Sequence, residues 1–241
     1  MTQQGEPFGG DSFSQTPPSE TTTPNLPENP TLKLSITPTI VRRGDFVTVT
    51  IESNMPGSPG EALYKHERDQ FYSTLGYFTL DETGSFNGQV QANSAGWWSF
   101  MVRVGTVDSN VVEVTIQGVT IYQEKDHWSV GETYTGALTS TYRNWGVMIW
   151  IKNHTDTLWN LYIMHDTDEH GMIPFGTLTE VLTTPGVYDL IAIIDRNDPS
   201  FWSQEFNQWA EEHDLDGYQD DILSIPDSIV DKSNILTFQV S

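Results

Sequence analysis

Apolar and polar residues alternate along most of this chain with a period of two. Leu32, Leu34 and Ile36 fall on one side of LKLSIT, Lys33 and Ser35 on the other, and Pro38 ends the run. After a turn at Gly44, Val47, Val49 and Ile51 oppose Phe46, Thr48 and Thr50. LGYFTL, FNGQVQA, WWSFMVRV and VVEVTI follow, separated by Gly, Asn, Asp and Ser. A period of two puts successive side chains on opposite faces of a strand, so these segments predict β-strands joined by turns. Many short strands with little helical periodicity predict a β-sandwich or barrel. Residues 60–75, GEALYKHERDQFYSTL, break the alternation and read as a short helix or an irregular crossover.

The pattern occurs twice. VRRGDFVTVTIES, AGWWSFMVRV and SNVVEVTI in the first half correspond to WSVGETYTGALTS, PGVYDLIAII and SNILTFQV in the second. Gly44-Asp45 matches Gly131-Glu132, Gly96 to Phe100 matches Gly186 to Leu190, and Ser109-Asn110 matches Ser233-Asn234. Agreement of order and residue character in three places indicates an internal repeat. This arrangement resembles the immunoglobulin-like domains of bacterial and archaeal surface proteins and of viral structural proteins, where a glycine turn and an alternating aromatic strand precede the terminal strand. The resemblance implies an all-β chain of two tandem immunoglobulin-like β-sandwiches, residues 31–117 and 118–241, behind a disordered N-terminal tail. It specifies a fold and leaves function open, because such sandwiches serve many tasks.

The tail, residues 1–30, is rich in Pro, Thr, Ser, Gln and Gly, and its sizeable apolar residues are Phe8, Phe13 and Leu26. It is expected to be flexible, or to act as an arm that docks on a neighbouring subunit with Phe8 and Phe13 as anchors.

The halves differ in one respect. Gly96 and Ser109 are 13 positions apart, Gly186 and Ser233 are 47 apart, so the second half carries an insertion of 34 residues, about 196–231. A segment that long in a compact domain predicts a purpose. Asp198 or Ser200 is placed to cap a helix on which Phe201, Trp202, Glu205, Phe206 and Trp209 follow helical spacing. Next comes EEHDLDGYQDD. Glu212, Asp214, Asp216 and Asp220, with the Tyr218 carbonyl, have the spacing of the start of a calcium loop, in which alternate carboxylates converge on one ion. The first ligand is Glu rather than Asp, and Leu223 stands where a bidentate acid would close an EF-hand loop. A solvated acidic loop is the alternative reading. A second cluster in MHDTDEHGM, with His165, Asp168 and His170 as ligands beside Asp166 and Glu169, has the residue types for a transition metal but no recognised spacing. A polar loop between strands is the plainer reading there. Asn153 in NHT is formally a glycosylation acceptor.

Charge narrows the partners. The net charge is −22, from 33 acidic and 11 basic residues. Residues 118–241 hold twenty of the acids and five of the bases. Such a field repels a phosphate backbone, so nucleic acid is not an expected partner, and it favours cations or a basic surface. With no cysteine, neither disulfides nor thiolate metal sites hold the fold. The N-terminus shows no basic n-region followed by an apolar h-region. No stretch approaches the roughly 20 apolar residues of a membrane helix, so membrane insertion is not expected.

The G-x-S-x-G elbow, H-E-x-x-H, a phosphate-binding glycine loop and a cysteine nucleophile are all missing, and no catalytic residue is assigned. The expected role is therefore structural. The first expectation is a virion component, such as a capsid decoration, turret, spike or tail protein, docked by its N-terminal part and projecting an acidic outer domain in a homo-oligomer or larger assembly. The alternative is a secreted or cell-surface adhesion or carbohydrate-binding module stiffened by calcium. In the carbohydrate version Trp97 and Trp98 are the stacking candidates, and alternation puts them on opposite faces.

Overall fold

The computed structural model describes residues 7–9, 13–17, 27–200, 203–213, 219–220 and 222–241. The chain divides into two compact units, Glu6–Gln117 and Gly118–Ser241.

The first unit runs through β1 (Phe8–Gly9), β2 (Leu32–Thr37), β3 (Ile40–Arg42), β4 (Phe46–Ser53), β5 (Pro59–His66) and β6 (Ser73–Thr79). It continues with β7 (Ser85–Ala92), β8 (Gly96–Val104), β9 (Val107–Asp108) and β10 (Val112–Gln117). One sheet has the order β1-β7-β4-β2, the other β3-β10-β8-β5-β6, with β9 paired to β8. Between the sheets lie Leu34, Val49, Ile51, Trp98, Phe100 and Val114, all buried.

The second unit comprises β11 (Val119–Gln123), β12 (His127–Trp128), β13 (Thr133–Ser140), β14 (Gly146–Asn153), β15 (Trp159–Asp166), β16 (Met172–Val181) and β17 (Gly186–Asp195). Then come α1 (Gln204–Glu212), β18 (Gln219–Asp220), a 3-10 turn at Ile222–Ser224, β19 (Val230–Lys232) and β20 (Leu236–Val240). Its sheets are β11-β13-β16 and β12-β20-β17-β14-β15-β18, with β19 paired to β17.

Strand for strand the two orders correspond. In each unit the first strand divides between the sheets: β2 and β11 lie in one, while β3 and β12 cross to the other and pair in parallel with the last strand, β10 or β20. The remaining pairings are antiparallel. This is an immunoglobulin-like sandwich, made twice.

The sequence repeat has a physical basis. Leu34 N–H donates to Asn110 Oδ1 at 2.9 Å, and Asn110 Nδ2 donates back to the Leu34 carbonyl at 3.0 Å. Asn234 does the same for Ile121, with both bonds at 3.1 Å. Ser109 Oγ accepts from Val102 N–H and Ser233 Oγ from Ala192 N–H. In each unit a Ser-Asn pair thus ties the first strand and the penultimate long strand to the start of the last one. Gly44 and Gly131 have φ of 95° and 84°, a left-handed turn that a β-carbon would disfavour.

Two expectations are corrected. Residues 60–75 are neither helix nor crossover, because β5 and β6 pair as a hairpin from Pro59↔Thr79 to Tyr64↔Ser73. Its charged tip is a turn held by Asp69, whose Oδ2 accepts from His66 N–H at 3.1 Å. Ala62, Leu63, Leu75 and Phe78 are buried, and their burial outweighs the helix-forming composition of the loop. The described parts of the expected tail also lie elsewhere than foreseen. Phe8 and Phe13 are 2% and 6% exposed in the core of the first unit of this same chain. Two aromatic rings bury enough area to hold a short arm that few other apolar residues support.

Candidate functional site

The insertion of the second unit is the feature that sets the two sandwiches apart. It begins at the end of β17, whose sequence GVYDLIAIID is nearly continuous in apolar residues rather than alternating. GVMIWI in β14 is the same. A continuous run needs cover on both faces of the sheet. Ile149, Leu190, Ala192 and Ile194 point into the sandwich core. Met148, Trp150, Ile191 and Ile193 point to the other face, where Phe206 and Trp209 of α1 bury them together with Ile222, Ile225 and Val230. The insertion is therefore a cap with a hydrophobic core of its own.

Helix α1 starts where its side chains can satisfy it. Ser203 Oγ accepts from Phe206 N–H at 3.1 Å, so Ser203 is the N-cap in place of the expected Asp198 or Ser200. Asp198 instead accepts from Ser200 N–H at 2.7 Å, and this bond and the Ser200 hydroxyl hold its carboxyl below the usual range. Phe201 and Trp202 lie outside the described residues. The outer face of α1 carries Glu205, Glu211 and Glu212, all exposed.

The stem is held by polar groups that sequence reasoning missed. Asp195 is fully buried. Its Oδ1 accepts from Asn197 N–H and its Oδ2 from Ser203 N–H, both at 2.9 Å. Trp145 Nε1 donates to the Asp195 carbonyl at 2.6 Å. Beside it, Tyr142 donates its hydroxyl to Asp231 Oδ2 at 2.5 Å, and Arg196 Nε stands 3.5 Å from Asp231 Oδ1. Burial, reinforced by the Asp231 carboxylate, pushes the Tyr142 phenol up to about 12. Arg196 Nη1 donates to the Asp227 carbonyl, and Lys232 Nζ donates to the Leu223 and Ile225 carbonyls and pairs with Asp227 at 3.0 Å. Two cations thus anchor a segment that holds ten acids and no base between Asp198 and Asp231. The signal for Asp195 is visible in sequence as a lone acid directly after LIAII.

The sequence candidates fall as follows. Glu212 is exposed at the C-terminal end of α1. Asp214, Asp216 and Tyr218 lie outside the described residues, and of Asp220 only the backbone is described, pairing with Trp159. Among the described residues no group of three or more His, Cys, Asp or Glu is placed to hold a metal ion. His165 Nδ1 sits 2.8 Å from the Asp166 carbonyl, and His170 Nε2 sits 3.5 Å from Glu169. Asp168 Oδ1 accepts from His170 N–H at 2.8 Å and Met172 N–H at 2.9 Å, so its carboxylate builds the turn between β15 and β16. Trp98 is fully buried, its Nε1 donating to the Ser94 carbonyl, and cannot serve as a stacking platform. Trp97 is half-buried on the opposite face of β8.

No protein-family model matches the chain, and no curated protein matches its sequence. Solved structures with similarity include the D0-D1 domain of intimin, at 13% identity over 86% of this chain and 97% of that one, with a TM-score of 0.31. Invasin, a bacterial integrin-binding protein, is 13% identical over 88% of this chain and 39% of its own, with a TM-score of 0.32. A Salmonella alpha-2-macroglobulin reaches 0.34 at 9% identity, over 87% of this chain and 16% of its own. Overlaps at this level say nothing about what the chain binds; the immunoglobulin-like assignment rests on its own strand order.

Proposed function

We propose that this chain is a non-enzymatic surface module, adhesive or structural, whose second sandwich presents the capped insertion as its interaction face. One observation carries the reading. The second unit buries the apolar side of α1 on the outside of its sheet while the other side of α1 remains acidic and solvent-exposed. That arrangement gives the outer face of the sandwich a charged platform, fixed to the sheet by a hydrophobic core of its own. Calcium, bound by Glu212, Asp214, Asp216, Asp220 and the Tyr218 carbonyl, belongs to the same proposal, as does a basic partner surface.

The surface can be that of a cell or of a virus particle. The particle reading needs the N-terminal arm to dock on a different component of a particle, and the seat that fits Phe8 and Phe13 is built from this chain's own first unit. The adhesive reading is therefore preferred. Protease treatment and antibody labelling of intact cells test it: loss of the protein on treatment is expected, and full protection inside the cell would overturn the proposal. Labelling of purified particles instead would restore the virion reading. Calorimetric titration of calcium into the chelator-treated chain tests the ion. Heat that disappears on changing Asp214 and Asp216 to Asn is the expected result, and no heat in the parent chain removes calcium from the proposal.

A further inference from the structure

The N-terminal arm occupies a built seat in the first unit. Phe8 and Gly9 extend one sheet beyond β7, pairing with Ala92 and Gln91, and the Pro7 carbonyl accepts from Asn93 N–H at 2.8 Å. Ser14 then pairs with Tyr77 on β6, at the edge of the other sheet, through two backbone bonds of 2.8 Å. Gln15 Nε2 adds a bond to the Leu75 carbonyl at 3.2 Å. The Phe8 ring stacks on Phe100 at 4.6 Å, and the Phe13 ring lies 5.5 Å from Phe86 and 6.4 Å from Phe78. Gly76 is shaped for this contact, since a β-carbon there would stand 2.7 Å from the Phe13 β-carbon. The arm bridges the edge strands β6 and β7, which otherwise present unpaired backbone and exposed aromatic rings.

The arm reaches the sandwich only through the sequence PPSETTTPNLP, residues 17–27, in which Leu26 is the single large apolar residue. Nothing in the seat distinguishes the arm of this copy from that of another. The contacts are the same either way, so the choice depends on the effective concentration that a tether of this length allows, on the order of millimolar. Where copies are crowded on a surface, exchange becomes competitive.

We propose that the seat between β6 and β7 is a strand-exchange site that accepts residues 7–9 and 13–17 of a second copy of this chain, linking first units arm to seat. The proposal does not depend on what the second unit binds.

The absence of native cysteine allows a direct test on the full chain. Ser14 and Tyr77 are a directly hydrogen-bonded antiparallel pair, with Cα atoms at about 5.5 Å, within disulfide range. Ser14→Cys and Tyr77→Cys chains, mixed at about millimolar concentration, warmed and oxidised, should form a mixed covalent dimer. A Ser14→Cys and Lys33→Cys mixture is the control, because Lys33 is exposed on β2 at the far edge of the sheet. Phe8→Ala with Phe13→Ala in the Ser14→Cys chain gives a second test, because it removes the two rings that fill the seat. Mixed with the Tyr77→Cys chain, that variant should cross-link no more than the Lys33 control. Cross-linking of the parent pair no greater than the Lys33 control, or equal cross-linking with and without the two rings, overturns the proposal.

Discussion

Asn110 and Asn234 each join strands distant in sequence through one side chain that both accepts and donates. Replacing either with alanine leaves a backbone N–H and a carbonyl without their partner, at a cost of about 1–3 kcal/mol. Asn234→Ala should lower the unfolding free energy of the second unit, measured by urea denaturation, by that amount, and Asn234→Asp, which keeps the acceptor and loses the donor, should fall between. A loss within error of zero would show that water replaces the side chain without penalty. Tyr142 gives a pH test. Its folded value, about 12, exceeds the 10.0 of a free phenol, so the folded state holds a proton that the unfolded state has released between those limits. Stability from this group is complete below pH 10 and is lost as the pH rises toward 12. Tyr134, also raised by burial, acts in the same sense. Tyr142→Phe should therefore flatten, without abolishing, the alkaline fall in melting temperature; an unchanged slope would mean that Tyr142 does not couple to folding. The repeat of Ser-Asn was legible in sequence, but its role was not, because the partners Leu34 and Ile121 are 76 and 113 residues away.

Helix α1 is short for an independent helix and is held by its cap and its buried face. Ser203→Ala should cost about 1 kcal/mol. Trp209→Ala, which empties the centre of the insertion core, should cost about 3–5 kcal/mol, read by chemical denaturation of the full chain. If Trp209→Ala proves neutral, the cap does not contribute to the stability of the sandwich. The helical spacing of Phe206 and Trp209 was visible in sequence. The cap was misplaced by three to five residues, because Asp198, Ser200 and Ser203 are all competent and only the buried Asp195 selects the last, by accepting from its N–H. The hairpin of β5 and β6 was misread for a related reason. Its tip has helix-forming charges, and pairing with β8 at Leu63↔Met101, decided far along the chain, sets its conformation.

Over the whole molecule, charge opposes compactness. With a net charge of −22, most of it in the second unit, self-repulsion should be relieved by salt. Raising sodium chloride from about 0.02 M to about 0.5 M, which shortens the Debye length several-fold, should raise the melting temperature, with the larger gain in the transition belonging to the second unit. A fall instead would mean that the ion pairs at Arg196 and Lys232 outweigh the repulsion. On a surface crowded with copies, the same acidic face would keep neighbouring second units apart by like-charge repulsion.

The sequence by itself determined the local facts: that the chain is built of short strands, that the pattern is made twice, that 34 residues are inserted before the last strand, and that most of the charge lies in the second half. These follow from period, glycine placement and composition, which are properties of neighbouring residues. Tertiary structure decided what requires distant residues to meet. It seated Phe8 and Phe13 between β6 and β7, buried Trp98 and left Trp97 at the surface of its sheet, turned Asp168 to a loop, and brought Tyr142, Arg196 and Asp231 together at the stem. Burial is settled by what packs from the other side, and a chain read in order carries no record of that.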